Sequence, residues 1–512
     1  MTSSVLERSR LSPTVNFAAS RMRSVGSSSW LWLTLICSGQ AILALRPGYN
    51  ETAFEDEGLY VYMGHRMIAH ILHGDVLHEF PGSYFSGAPG LYPVLAAMVD
   101  RVGGLQAVRG LSLVFAMVAT IATYHLGKRL FGKIAGLLGA LTFTLSCGVI
   151  FQSHLATYDA MTMALVALAA WCAVYCAQTN SLRGAPLVSA LLALAALTKY
   201  AGAAYAPMIA ALAAAVSWPS LRWLAVRRSV FMLGAALVMF MFVIQLWGRD
   251  LIPGIEQSTL NRSVIRAASK QSMLAHLTQW IGPTLALAGA GALFHARKRF
   301  ATAAVLLLAA VIGPLQQLHI GEATSLSKHT AFGMVFAAPL VGDLLARALR
   351  RSWKLSALPA VAVFVVLALT ATHFSREFLT GWVPDRQLQT VLTAAVHAEA
   401  GKPILGEQPS PQRYELRTVV NPRQWADTYS FTFNGKRGQA AYAEALNVHY
   451  FGVIYLSSTT DNGVLLLRKL TGTHRDRYYN IKAKVPRYLR GKYVGEWLIF
   501  APRSTSIDIA SP

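Results

Sequence analysis

Apolar runs recur from Trp30 to Thr372, and several reach the ~20 residues an α-helix needs to cross a hydrocarbon core about 30 Å thick. In a bilayer the backbone must satisfy its own hydrogen bonds, so runs of this length are expected to be membrane-spanning helices. They fall at roughly 30–48, 105–125, 131–151, 158–178, 185–199, 201–217, 229–247, 277–294, 301–320, 331–347 and 354–372, or about eleven spans. The fifth and sixth are short and meet at Thr198-Lys199-Tyr200. Composition agrees: 14% of the 512 residues are charged and mean hydropathy is +0.41, whereas soluble domains carry about a quarter charged residues.

The net charge of +22 would suggest nucleic acid in a soluble protein. Here the positive residues cluster in short segments between apolar runs, and no nucleic-acid-binding motif accompanies them. Lys128-Arg129 with Lys133, Arg222 with Arg227-Arg228, Arg297-Lys298-Arg299, and Arg347 with Arg350-Arg351 and Lys354 alternate consistently if all are cytoplasmic. Residues 1–29 are then a cytoplasmic tail, 30–372 the membrane domain, and 373–512 an extracytoplasmic domain. The N-terminal segment lacks a small-residue cleavage site after its apolar run, so the first span is expected to be retained. Cys37, Cys147, Cys172 and Cys176 all lie in apolar runs and are expected to be packing residues.

This topology leaves outward segments at 49–104, 248–276, 321–330 and the tail. Within the first, residues 57–73 carry apolar side chains at helical spacing among charges, which suits a helix lying in the interface. A turn-rich stretch, Gly82–Gly90, and a second short apolar stretch, 91–99, follow. The tail mixes strand-like runs at Pro403–Gly406, Phe451–Leu456 and Trp497–Phe500 with a helix-like Gln439–Leu446, predicting a small α/β domain.

Charges kept at the outer boundary stand out. Glu55-Asp56-Glu57 follows the first span, Asp159 opens the fourth, Lys199 sits between the two short helices, and Lys328-His329 precedes the tenth. An acid at a membrane boundary must be paired, hydrated or functional. Each residue also has a plainer role open to it. The acidic triplet suits a solvated loop, Asp159 a helix N-cap, Lys199 a snorkelling side chain, Lys328 a nonspecific lipid contact, and His154 and His329 an interfacial position. Tyr60 and Tyr92 suit sugar stacking or the headgroup belt.

The order of residues resembles a known family. An Asp-Glu pair outside the first span comes first, then Gly87, Pro89, Leu91, Tyr92 and Pro93, then Val108-Arg109-Gly110-Leu111-Ser112. Ala156-Thr157-Tyr158-Asp159 and Leu197-Thr198-Lys199-Tyr200 complete it. This is similar to the GT-C glycosyltransferases, in the branch of protein O-mannosyltransferases, the lipid A aminoarabinose transferase and lipopolysaccharide-core transferases. The resemblance spans roughly residues 30–350 and implies an all-α polytopic membrane fold. It also implies a polyprenyl-phosphate sugar donor and a lipid, glycan or protein acceptor met on the outer face of the inner membrane.

By that resemblance Asp56 is the expected base, with Glu57 beside it and Glu55 an alternative register. Asp159 is a second catalytic carboxylate. Lys199, Lys328 and Arg262 or Arg266 are expected to face the donor phosphate, with Tyr60, Tyr92, His154 and His329 also near substrate. Close carboxylates leave open a divalent cation, Mg²⁺ or Mn²⁺, on Asp56 and Asp159. A transporter or flippase is the alternative, but neither internal repeats nor paired broken helices stand out.

Overall fold

The computed structural model describes residues 29–46, 48–77, 85–261, 267–295, 297, 299–323, 325–459, 461–472 and 478–507. The bundle comprises α1 (Ser29–Ala44), α2 (Glu55–His73), α3 (Tyr92–Phe131), α4 (Lys133–Thr144), α5 (Cys147–His154), α6 (Tyr158–Thr179) and α7 (Ala185–Thr198). It continues with α8 (Tyr205–Leu221), α9 (Trp223–Ile255), α10 (Lys270–Leu293), α11 (Phe300–Ile320), α12 (Leu326–Arg351) and α13 (Trp353–Leu379). Each of the apolar runs read as spans between Trp30 and Thr372 is helical. Among the described residues seven helices are long and apolar enough to cross a membrane, and α4 with α5, bent by 67°, makes an eighth. The expectation of about eleven spans counts three weaker segments as well. α1 and α7 have 16 and 14 residues, and α10 opens with Lys270, Gln271, His276 and Gln279 among its first turns.

α12 is the most buried span, at 78% of its apolar window, whereas α9 and α13 are each 17% buried and face outward. Small residues let α12 sit at the centre: a Cβ on Gly333 or Gly342 would lie 2.0 Å from Ala310 O or 2.1 Å from Ala135 O. Close backbone approach of this kind is how helices pack where lipid removes the hydrophobic drive.

Two readings of residues 49–104 change. The helix expected at 57–73 forms, as α2, but it is packed inside protein: Tyr60, Val61, Tyr62 and Met63 are buried, and only its last turn exposes Ile71 and Leu72. The stretch 91–99 is the start of α3, which kinks at Gly103–Gly104, where Gly104 takes φ +65°. α13 runs to Leu379 instead of stopping near 372 because His373, Ser375, Arg376 and Glu377 extend it with polar turns.

The tail is an α/β domain. Strands β1 (Ile404–Gly406), β2 (Trp425–Asp427), β5 (Val453–Ser457), β6 (Tyr479–Leu489) and β7 (Lys492–Pro502) form a sheet ordered β2-β1-β5-β7-β6, and β3 (Thr432–Phe433) pairs with β4 (Lys436–Arg437). β1 is parallel to β2 and β5, while β7 is antiparallel to β5 and β6. Helices α14 (Arg386–Ala398), α15 (Ser410–Glu415), α16 (Gly438–Asn447) and α17 (Asp461–Gly472) complete it. The domain packs on the 49–104 segment. Asp100 accepts hydrogen bonds from Tyr414 Oη at 2.5 Å and Arg417 Nη2 at 2.9 Å, and lies 2.7 Å from His65 Nε2.

Candidate active site

Glu55, Asp56 and Glu57 fill the first turn of α2, where carboxylates meet the positive end of the helix dipole. Each successive residue turns by about 100° around the helix, so three adjacent acids face three directions. Glu57 faces inward and is fully buried. Its Oε1 accepts from Arg109 Nε at 2.9 Å and Ala156 N at 2.7 Å, and its Oε2 from Arg109 Nη2 at 2.7 Å and Phe54 N at 2.9 Å. Arg109 also donates to Asn50 O at 2.9 Å and Thr52 O at 3.1 Å. The expected partner of the base is thus the centre of a clasp joining α2, α3, the loop after α1 and the turn before α6. Its acceptor sites are filled by protein donors, and the four contacts fix the rotation of α2.

That rotation turns Asp56 toward the first turn of α12, where it pairs with Lys328 Nζ. The Asp56 side chain is 31% exposed and Lys328 8%. Gln152 Nε2 donates to Lys328 O at 2.5 Å, and the ammonium lies 5.2 Å from the Phe54 ring centroid. Asp159, in the first turn of α6, pairs with Lys199 Nζ, and both are buried. Lys199 reaches it because the chain leaves α7 in an extended conformation at that residue, φ −149° and ψ 124°, before the short 3₁₀ turn Tyr200–Ala204. The ammonium sits 5.3 Å from the Tyr158 ring and 5.8 Å from Phe332. Lys328 also lies close enough to act on Asp159 electrostatically, which joins the two pairs into one cluster.

Backbone contacts hold this break in place. Tyr200 N donates to Ser86 O at 2.7 Å and Ala88 N to Leu197 O at 2.6 Å. Gly87 lies between them, and a Cβ there would stand 2.0 Å from Thr198 O. Only a residue without a side chain permits that approach. Ser86 Oγ and Tyr60 Oη meet Tyr158 Oη at 2.5 and 2.7 Å, so Tyr60 borders the cluster. Asp159 Oδ2 is buried with no hydrogen-bond partner among the described residues, and an unmet buried acceptor costs about 1–3 kcal/mol.

The remaining sequence candidates lie as follows. Glu55 is half-buried against Ser410 of the tail domain, and burial, reinforced by Asp56, pushes its carboxyl up to about 7. His329 Nδ1 is 2.8 Å from Gln317 Nε2, beside the Asp159 end of the cluster. Tyr92 is buried with its hydroxyl 3.4 Å from Ser112, and His154 Nδ1 is 2.7 Å from Ala44 O. Tyr92 packs edge-on against Tyr158, 6.4 Å between ring centroids, and so stands behind the ring that carries the Lys199 ammonium, whereas His154 packs against Tyr49, away from the two ion pairs. Arg262 and Arg266 lie outside the described residues. Among those described, no three His, Cys, Asp or Glu side chains converge where a metal ion could sit, and the two carboxylates named for one each hold a lysine.

Sequence reasoning passed over Arg109, Ser86 and the Asp100 contacts as site-forming groups. Arg109 had a legible signal, a lone guanidinium inside an apolar helix, which must find partners.

The apolar bundle with a long loop after its first helix, acids at one end and a small terminal α/β domain docked there shares its fold with solved structures of the GT-C type. This chain is a multi-pass membrane protein with that fold. Residues 91–247 match the family described as Dolichyl-phosphate-mannose-protein mannosyltransferase. The chain is similar in structure to ArnT from Cupriavidus metallidurans bound to undecaprenyl phosphate, with TM-score 0.63 and 15% identity over 95% of this chain and 99% of that one. It also resembles the oligosaccharyltransferase AglB from Archaeoglobus fulgidus, in complex with an inhibitory peptide and a dolichol-phosphate (0.54, 11%, 93% of this chain and 74% of that one). A third neighbour is the arabinofuranosyltransferase AftD from Mycobacteria (0.54, 15%, 92% of this chain and 40% of that one). No curated protein matches the sequence.

Proposed function

We propose that this chain is a glycosyltransferase that moves a hexose or pentose from a polyprenyl-phosphate donor to a cell-envelope lipid, glycan or protein. The observation that carries the reading is the joined pair of ion pairs, Asp56–Lys328 and Asp159–Lys199, assembled from four separate elements at one end of an apolar bundle. In the reaction an acceptor hydroxyl or amine attacks the anomeric carbon, the bond from that carbon to the phosphate oxygen breaks, and polyprenyl phosphate departs. The phosphate is a good leaving group, so the acceptor's proton is what needs a base. Asp56, the more accessible carboxylate, takes that proton. Lys328 and Lys199 face the donor phosphate and stabilise its developing charge. Asp159 holds Lys199 and offers its remaining oxygen to a sugar hydroxyl.

A Mg²⁺ or Mn²⁺ ion would have to displace these ammonium groups, so the lysines are read as the cationic partners of the phosphate. We read the site as lying on the outer face of the inner membrane with the N-terminus inside, and the charge bias of the connectors supports that orientation. A transporter would hold its charges near the midplane between repeats, whereas these sit at one end. Purified protein given radiolabelled polyprenyl-phosphate sugar and envelope extract is expected to release polyprenyl phosphate with label passing to the acceptor. Donor left intact with every acceptor class would overturn the assignment. Mass spectrometry of envelope glycans from a deletion strain would then name the sugar lost.

A further inference from the structure

A cavity of about 630 Å³ opens at the other end of the bundle, between the end of α3, the α10–α11 connection and the last turns of α12. Asp343 and Lys328 lie fifteen residues apart on α12, a rise of about 22 Å, so this cavity is remote from the carboxylate–lysine cluster. Its polar lining is His295, Arg299, Asp343, Arg347 and Arg350. Asp343 and His295 are buried, at 1% and 5% exposure. Asp343 Oδ2 accepts from Arg347 Nε at 2.7 Å and lies 2.8 Å from His295 Nε2. Arg350 donates to Ala346 O at 3.1 Å and Arg299 to Leu130 O at 2.8 Å.

One carboxylate thus faces three arginines, leaving uncompensated positive charge around an open volume. The carboxylate holds Arg347 in place, with its guanidinium 6.0 Å from the Phe294 ring. Phe294, 63% exposed, and Phe131 line the same cavity, an apolar surface that water would meet at a cost and acyl chains would cover. We propose that the cavity binds the headgroup of an anionic phospholipid. Arg299, Arg347 and Arg350 take the phosphate, and the acyl chains lie along Phe294 and Phe131. Arginine forks suit phosphate oxygens, and basic pockets between membrane helices are where such headgroups lodge. A soluble phosphate would share the arginines but leave the two aromatic rings uncovered.

Native mass spectrometry of the full chain in detergent, titrated with phosphatidylglycerol or phosphatidylcholine, tests this. Wild type is expected to retain one phosphatidylglycerol at about a tenth of the concentration needed for phosphatidylcholine. Arg350→Gln, which leaves the Asp343 clasp intact, is expected to weaken retention about fivefold, and Arg347→Gln with Arg350→Gln about 25-fold. Arg222→Gln with Arg227→Gln, altering a different basic connector, is the control and should leave it unchanged. Equal retention of the two lipids, or retention by Arg350→Gln equal to wild type, would overturn the proposal. So would thermal stabilisation by inorganic phosphate alone matching that by phosphatidylglycerol, since the cavity would then take a free anion.

Discussion

Asp56 and Glu57 are neighbours in sequence and opposites in the fold. Glu57 is fully buried, with both oxygens engaged by a guanidinium and two backbone N–H groups, while the Asp56 side chain keeps 31% of its surface exposed and a single lysine partner. A carboxylate saturated with protein donors positions the chain. One with a single partner at an accessible edge has capacity left for a substrate proton.

Substitutions at the two positions should therefore fail in different ways. Asp56→Asn is expected to lower transfer by about 10²- to 10⁴-fold, the range of a lost general base, with a melting temperature lowered far less than by substitution of the fully buried Glu57, because Asp56 is partly exposed. A variant keeping a tenth of the wild-type rate would break the distinction from that side. Glu57→Gln or Arg109→Met leaves a buried charge without its partner and is expected to cost about 3–5 kcal/mol. Thermal unfolding should show the loss, and activity should follow the folded fraction. If Glu57→Gln melts like wild type yet is inactive, Glu57 belongs with the chemistry.

Lys199→Ala sharpens the comparison within the cluster. Apparent donor affinity is expected to weaken about tenfold, more than acceptor affinity, because a charge-assisted contact to phosphate is removed. Equal effects on both substrates would return Lys199 to a purely structural part.

The smallest expected effect is on pH dependence, through the acids at the domain junction. Burial pushes Glu55 up to about 7 and Asp385 to about 6, both above their ordinary values of 4.5 and 3.8. A carboxyl whose folded value is raised contributes stability that is full below its ordinary value and is lost as pH rises through the raised one. Melting temperature is therefore expected to fall between about pH 4 and pH 7, and Glu55→Gln with Asp385→Asn should flatten that slope. A slope of the opposite sign, or one the pair leaves untouched, would assign the dependence to other groups.

Helices and strands were largely legible because their signals are local. Apolar runs located the spans, and short strand-like apolar runs located β1, β5 and the end of β7. The reach of Asp159 toward Lys199 followed only in outline, since family-like order gave the residues but not their partners. The fate of Glu57 was not legible. Its inward direction depends on Arg109, 52 positions away, and no local pattern encodes that pairing. The packing of α2 was likewise misjudged because its charges look interfacial until Asp100 of α3 pairs with His65 and the tail brings Tyr414 and Arg417 onto that acid.

Asp100 carries a consequence for engineering. It is 3% exposed, and two of its hydrogen-bond donors, Tyr414 and Arg417, belong to the tail. The C-terminal domain is therefore not an interchangeable module. A graft from another protein must supply a hydroxyl and a guanidinium at those two places, or the bundle will inherit a buried acid with two of its three partners missing, against the helix that carries Asp56.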